Sequence, residues 1–163
     1  MAVVYLGIGS NLGDRHAHIQ KALRLLKEQE EIKVTAVSDL IETKPVGGPE
    51  QGDFLNGALR LETDLLPLDL LSRLKNIERR SGRTKSEPNA PRTLDLDILF
   101  YDDIVIVEGK NLCIPHPRLA EREFVLKPLA EIAPDLVHPR LKKEIRQLYQ
   151  ELLHEDPSEL KRA

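Results

Sequence analysis

From Ala2 to Ile8 the chain is an almost unbroken apolar run, rich in β-branched residues and closed by glycine, which predicts a buried strand. The turn Gly9-Ser10-Asn11-Leu12-Gly13-Asp14 follows, and Asp14 can cap a helix with Ile19, Ala22, Leu23 and Leu26 on one face. Residues 33–42 alternate, which predicts a second strand with Val34, Ala36 and Leu40 inward. Residues 43–53 hold three glycines and two prolines and read as a loop. Phe54 to Thr63 predicts a third strand. Pro67 suits the first turn of a second helix, whose stripe is Leu70, Leu71, Leu74 and Ile77 and whose stop is Gly82. Residues 83–93 are polar and proline-containing, a second loop, and Leu94 to Tyr101 predicts a fourth strand. A small hairpin over 104–107 and 112–114, a helical stretch over 125–132 and a last helix carrying Leu141, Ile145, Leu148 and Leu152 complete the reading, with the final eight residues frayed.

The core order is β-α-β-β-α-β, the pattern of a ferredoxin-like α+β fold with helices on one face of the sheet; the hairpin and C-terminal helices are additions. If each short connection reverses the chain, the first turn, the 43–53 loop and the 83–93 loop fall at one end. The starts of the third and fourth strands fall there too. Functional groups gather on loops held by a rigid scaffold, so this end is the expected site.

Composition narrows the classes. A chain of 163 residues is expected to form one domain, 1–163. Its single cysteine, Cys113, excludes an intramolecular disulfide and a cysteine-based zinc cluster. A net charge of −3, 4% aromatics and no Trp argue against nucleic acid as a partner. No apolar run reaches the ~18 residues of a membrane span, and the N-terminus has no basic leader, so no membrane association and a cytoplasmic location are expected. No large apolar stripe is left over, so the expected state is a monomer.

The sharpest chemical feature is Pro91-Arg92-Thr93-Leu94-Asp95-Leu96-Asp97-Ile98-Leu99-Phe100. Alternate strand residues share a face, so Asp95 and Asp97 point one way with Cα atoms roughly 6.6 Å apart. Two carboxylates about 6 Å apart repel by near 3 kcal/mol at an effective dielectric of 20, so a cation should offset them. Few, hard oxygen ligands with open positions suit Mg²⁺ bound jointly with a phosphate substrate. A solvated polar strand face with Arg92 as ion-pair partner fits the same residues. Arg83, Lys85 and Arg92 make the 83–93 loop basic against one acid, Glu87, which suits closure over a polyphosphate as well as simple solvation. Gly7-x-Gly9-x-x-x-Gly13 misses the dinucleotide spacing by one, and Lys33 stands where an acid would be needed. His116, rigidly set between two prolines, and Phe54, Asn56 and Phe124 are further candidates.

Four ordered blocks then carry a resemblance: Gly9-Ser10-Asn11-Leu12-Gly13-Asp14-Arg15, Phe54-Leu55-Asn56, Pro91-Arg92-Thr93-Leu94-Asp95-Leu96-Asp97, and Pro115-His116-Pro117-Arg118 running on through Arg122-x-Phe124-Val125-Leu126-x-Pro128-Leu129 to Ile132-Ala133-Pro134. Over residues 3–140 the chain resembles the 6-hydroxymethyl-7,8-dihydropterin pyrophosphokinase family of folate biosynthesis. The resemblance implies a ferredoxin-like fold and transfer of a diphosphate from ATP to the pterin hydroxymethyl group, leaving AMP. It implies two Mg²⁺ ions at Asp95 and Asp97, and a pterin pocket of Thr43, Val46, Phe54, Asn56 and Phe124. It implies ATP contacts at Glu78, Arg92, Ile98, His116 and Arg122, with Arg83 and Arg92 closing over the phosphates. Asp97, beside the metal-polarised hydroxyl, is the candidate for assisting its deprotonation. The chain departs from the family pattern at Asn89, where members often carry an aromatic, and at Asn111, Cys113 and Pro117. An RNA-binding module on the same fold and another Mg²⁺-dependent nucleotide-processing enzyme are the alternatives; AMP as product separates the last from the first.

Overall fold

The computed structural model describes residues 1–44, 52–82, 93–108 and 112–154. In chain order the elements are β1 (Ala2–Ser10), α1 (Arg15–Lys27), β2 (Ile32–Val37), β3 (Ile41–Thr43), β4 (Phe54–Thr63), α2 (Pro67–Arg80), β5 (Asp95–Tyr101), β6 (Ile106–Glu108), β7 (Leu112–Ile114), α3 (Glu123–Ile132) and α4 (Ile145–Leu153). The helix ends follow their local chemistry. Asp14 accepts the Ala17 N–H at 3.1 Å and caps α1, Pro67 opens α2, and Gly82 at φ +90° closes α2, a backbone conformation that favours glycine.

The main sheet is antiparallel, in the order β2-β4-β1-β5, with β3 also paired to β4. Alternation along β1 sends Val4, Leu6 and Ile8 into one core with Ile19, Leu26, Leu70, Leu74 and Ile77 of α1 and α2. The opposite face carries Tyr5, Ala58, Leu99 and Phe100 against Leu126 and Leu129 of α3 and Ile145, Leu148 and Leu152 of α4. Helices therefore cover both faces, not one as the core pattern predicts, because the C-terminal stretch folds back over the second face. The first turn of α3 meets one end of that face across a cavity, which is the site.

Several boundaries shift by two residues, β1 running on through Gly9 to Ser10 and α3 starting at Glu123, and two elements differ from the sequence reading more deeply. The strand expected over 33–42 is broken after Val37: Ser38 donates its N–H to Ala58 O at 2.9 Å while its hydroxyl accepts the Ala58 N–H at 2.8 Å, and the chain re-pairs with β4 as β3. Leu141 is not on α4. It lies in the turn before it, 47% exposed, where Lys142 adopts a φ of +60° and His138 accepts the Arg140 and Leu141 N–H groups. The hairpin appears as β6 and β7. The basic loop over 83–92 and residues 45–51 lie outside the described residues.

Candidate active site

Register alone assembles the site. Gly9 of β1 stands between Asn56 of β4 and Asp95 of β5, and Gly7 between Ala58 and Asp97. Beyond the end of β1, Thr43 pairs with Phe54. Gly7, Gly9, Thr43, Phe54, Asn56, Asp95 and Asp97 line a cavity of about 310 Å³, while Ala58 is buried beside it under α3. The rest of its wall comes from Ile8 and Gly57 of the sheet and from Lys44, Leu99, His116, Arg118, Arg122, Phe124 and Val125. The Asp-x-Asp alternation thus does what strand geometry predicts: Asp95 and Asp97 face the cavity, while Leu94, Leu96 and Ile98 are buried in the α1–α2 core. A bulge opposite Tyr5 and Leu6 turns both Leu99 and Phe100 to the α3 side.

The floor is backbone. A Cβ on Gly9 would stand 2.6 Å from Asn56 Oδ1, so only glycine lets the amide lie there. Asn56 in turn donates its Nδ2–H to Thr43 Oγ1 at 2.5 Å. This fixes the amide orientation and leaves a hydrogen-bonding edge toward the cavity.

The opposite wall is cationic. Arg122 lies at the start of α3, its Cζ 5.5 Å from the Phe124 ring centroid, a cation–π contact that steadies both. Burial lowers the Arg122 pKa from its ordinary value and Arg118 adds to this, while Asp97 and Asp95 oppose it. His116 is pushed down to about 4, first by burial and then by Arg122, with Asp95 pulling the other way. It is therefore a neutral imidazole at pH 7. Its Nδ1 accepts the Arg118 N–H at 3.4 Å, and its backbone N–H donates to Leu99 O at 3.1 Å, tying the Pro115–Pro117 bend to β5.

Of the sequence-predicted residues, the cavity gathers Thr43, Phe54, Asn56, Asp95, Asp97, His116, Arg122 and Phe124. Ile98 is not in its wall; its parity on β5 sends it to the α1–α2 core, at 5% exposure. Glu78 also lies outside the wall. It is buried on α2, and its Oε2 accepts the Leu96 N–H at 2.8 Å, between the two aspartates. Val46, Arg83 and Arg92 lie outside the described residues. Gly9, Lys44 and Arg118 were not among the predicted site residues; the two glycines of the first turn carried the signal for Gly9, but only strand register gives it meaning.

This arrangement can hold an anionic substrate and a divalent cation at one end and a flat polar ring at the other. The model of the family described as 7,8-dihydro-6-hydroxymethylpterin-pyrophosphokinase matches residues 5–134. The chain is 44% identical over 147 residues to the 2-amino-4-hydroxy-6-hydroxymethyldihydropteridine pyrophosphokinase of Aquifex aeolicus, covering 90% of each protein. To the enzyme of that name from Bacillus subtilis it is 45% identical over 130 residues, 80% of this chain and 77% of the relative. It is 47% identical over 137 residues to the folic acid synthesis protein fol1 of Schizosaccharomyces pombe, where it covers 84% of this chain but only 19% of the longer protein. The fold is similar to a crystal structure of HPPK-DHPS in complex with substrates, with a TM-score of 0.72 at 18% identity over 92% of this chain and 43% of that one. It is similar also to wild-type Plasmodium falciparum HPPK-DHPS, with a TM-score of 0.73, 18% identity and the same coverage of 92% and 43%. With 130 of its residues matched by one family model and two relatives aligned over most of their length, the chain belongs to the 7,8-dihydro-6-hydroxymethylpterin-pyrophosphokinase family.

Proposed function

We propose that this cavity transfers the terminal diphosphate of ATP to the hydroxymethyl group of 6-hydroxymethyl-7,8-dihydropterin, giving AMP and the pterin diphosphate ester, a step of folate biosynthesis. The observation that carries the reading is a single cavity with paired carboxylates at one end and an amide, a hydroxyl and two phenylalanines at the other.

Asp95 and Asp97 fit Mg²⁺. They are hard oxygen donors on one strand face, and among the described residues no third His, Cys, Asp or Glu completes a protein-only cage. An ion held by two carboxylates keeps positions open for phosphate oxygens. Two Mg²⁺ ions, when bound, would draw charge from the triphosphate and clamp attacking and leaving oxygens. The protein's share is alignment. Asn56 and Thr43, with the backbone at Val46, read the polar edge of the pterin. Phe54 and Phe124 hold its faces.

Arg122, with Arg118, meets phosphate oxygens, and neutral His116 offers a hydrogen bond where a cationic imidazole would compete with the metal. Arg83 and Arg92 add donors at the transferring phosphates, and Asp97 accepts the hydroxyl proton. Diphosphoryl transfer is mostly positioning and charge stabilisation, which suits a site of carboxylates, cations and hydrogen-bonding groups. Glu78 serves the nucleotide end by holding the strand between the two aspartates, and Ile98 by filling the core beneath them.

The strand order β2-β4-β1-β5 supports a ferredoxin-like core, and the chain acts as one domain and a monomer. Product analysis tests the function. Incubated with ATP, Mg²⁺ and the hydroxymethyl dihydropterin, the protein should form AMP and the pterin ester in equal amounts. ADP, or free diphosphate without the ester, would overturn it.

A further inference from the structure

The β1–β4 ladder ends at Ser10 and Leu55. Two residues of the pterin end, Phe54 and Thr43, stand one position further out, paired with each other but no longer with β1. The turn after β1 and the first residue of α1 supply what the strand does not. Arg15 Nη1 donates to Asp53 O at 2.9 Å, Arg15 Nη2 donates to Glu42 Oε1 at 2.5 Å, and Asn11 Nδ2 donates to Gly52 O at 3.3 Å. Glu42 and Asp53 are each the chain neighbour of a cavity residue, Thr43 and Phe54. One guanidinium therefore grips both strands of the β3–β4 pair from outside the cavity, immediately behind the two residues that face it.

We infer that Arg15 is a positioning residue for the pterin: its bridge to Glu42 and Asp53 sets where Thr43 and Phe54 stand relative to the Gly9 and Asp95 row. This rests on the pterin reading of the cavity. It asks nothing of the phosphate end, since Arg15 lines neither the carboxylate pair nor the cationic wall. The geometry also explains why arginine is needed. A planar fork can engage a carboxylate and a carbonyl at once, whereas a lysine ammonium on its single stem acts as a point charge.

Arg15 and Glu42 are 30% and 61% exposed, so their pair adds little to stability. The Arg15→Ala protein should fold, with Tm within about 4 °C of the parent. Its KM for the hydroxymethyl dihydropterin should rise roughly tenfold, because a pocket that must be ordered by its ligand binds it less tightly. Its KM for ATP and its kcat should each stay within about twofold. Glu42→Ala should raise the pterin KM less, since the Asp53 contact survives, and should add nothing in the Arg15→Ala background. Arg15→Lys should fall between parent and Arg15→Ala.

Direct titration with the pterin alone, read by fluorescence, supplies a measurement independent of turnover. An unchanged pterin KM and affinity in folded Arg15→Ala would overturn the inference, as would an equal rise in both KM values. Should Arg15→Ala not fold, Glu42→Ala decides, since it removes the acceptor that Arg15 Nη2 uses: a pterin KM equal to the parent's refutes the bridge. A parent protein that makes no AMP would instead refute the function and leave the contacts to be judged by pterin titration.

Discussion

At the scale of single residues, the site depends on what side chains are absent as much as on those present. Gly9 leaves room for the Asn56 amide, and a methyl group there would meet Asn56 Oδ1 at 2.6 Å. Gly9→Ala should therefore displace Asn56 and break its bond to Thr43. The expected results are a loss of about 1–3 kcal/mol of stability by denaturant titration and a rise in the pterin KM larger than that in the ATP KM. A variant with parental kinetics would show that Asn56 is not held by that contact. The chemistry-bearing residues were legible in the sequence because their types are rare in strands and bends: the two aspartates, and the histidine between prolines. Gly9, Lys44 and Arg118 were not. Their importance comes from neighbours far away in the chain, as Asn56 is from Gly9, or from the direction a short turn happens to face, and neither is encoded in local pattern.

At the scale of elements, β5 is an edge strand of the sheet, and an edge leaves backbone groups unpaired by any ladder. Glu78 reaches from α2 to accept the Leu96 N–H, the amide that sits between the two cavity carboxylates. Glu78→Ala should strand that buried donor and cost about 1–3 kcal/mol, seen as a lower denaturation midpoint. It should also lower kcat, since the aspartates lose a fixed strand. Unchanged stability would mean that Glu78 does not hold the edge. The same scale shows where periodicity misleads. Leu141, Ile145, Leu148 and Leu152 keep perfect helical spacing, yet Leu141 belongs to a turn held by His138 Nδ1, a tertiary arrangement that spacing cannot report. The break between β2 and β3 is equally silent, since Ser38 fits either a strand or a side-chain bond to the neighbouring strand. The helices over both faces were missed because the core pattern speaks only of the first hundred residues.

At the scale of the whole molecule, two histidines set the acid response, His138 buried and His116 half-buried in the cavity wall. His116 is pushed down to about 4, by burial first and then by Arg122, and His138 is lowered by burial and by Arg140. His138 also accepts two backbone N–H groups through Nδ1, which a protonated ring could not do. A depressed folded-state pKa means that the unfolded chain takes up the proton first. Stability is therefore complete above about pH 6.5 and is lost as pH falls from there toward 4. Thermal unfolding across this window should show a falling Tm, with a shallower slope in His116→Asn; a flat profile would contradict the burial of both rings.

The whole account rests on one strand face presenting two carboxylates to a metal–nucleotide complex beside a pterin. Phosphorus NMR of the reaction catalysed by the Asp95→Asn, Asp97→Asn double variant tests this most directly. The account predicts a folded protein that binds the pterin alone as the parent does, yet forms AMP at least about a thousandfold more slowly, as expected when the charges holding a catalytic ion are removed. AMP and ester appearing at the parental rate would contradict it.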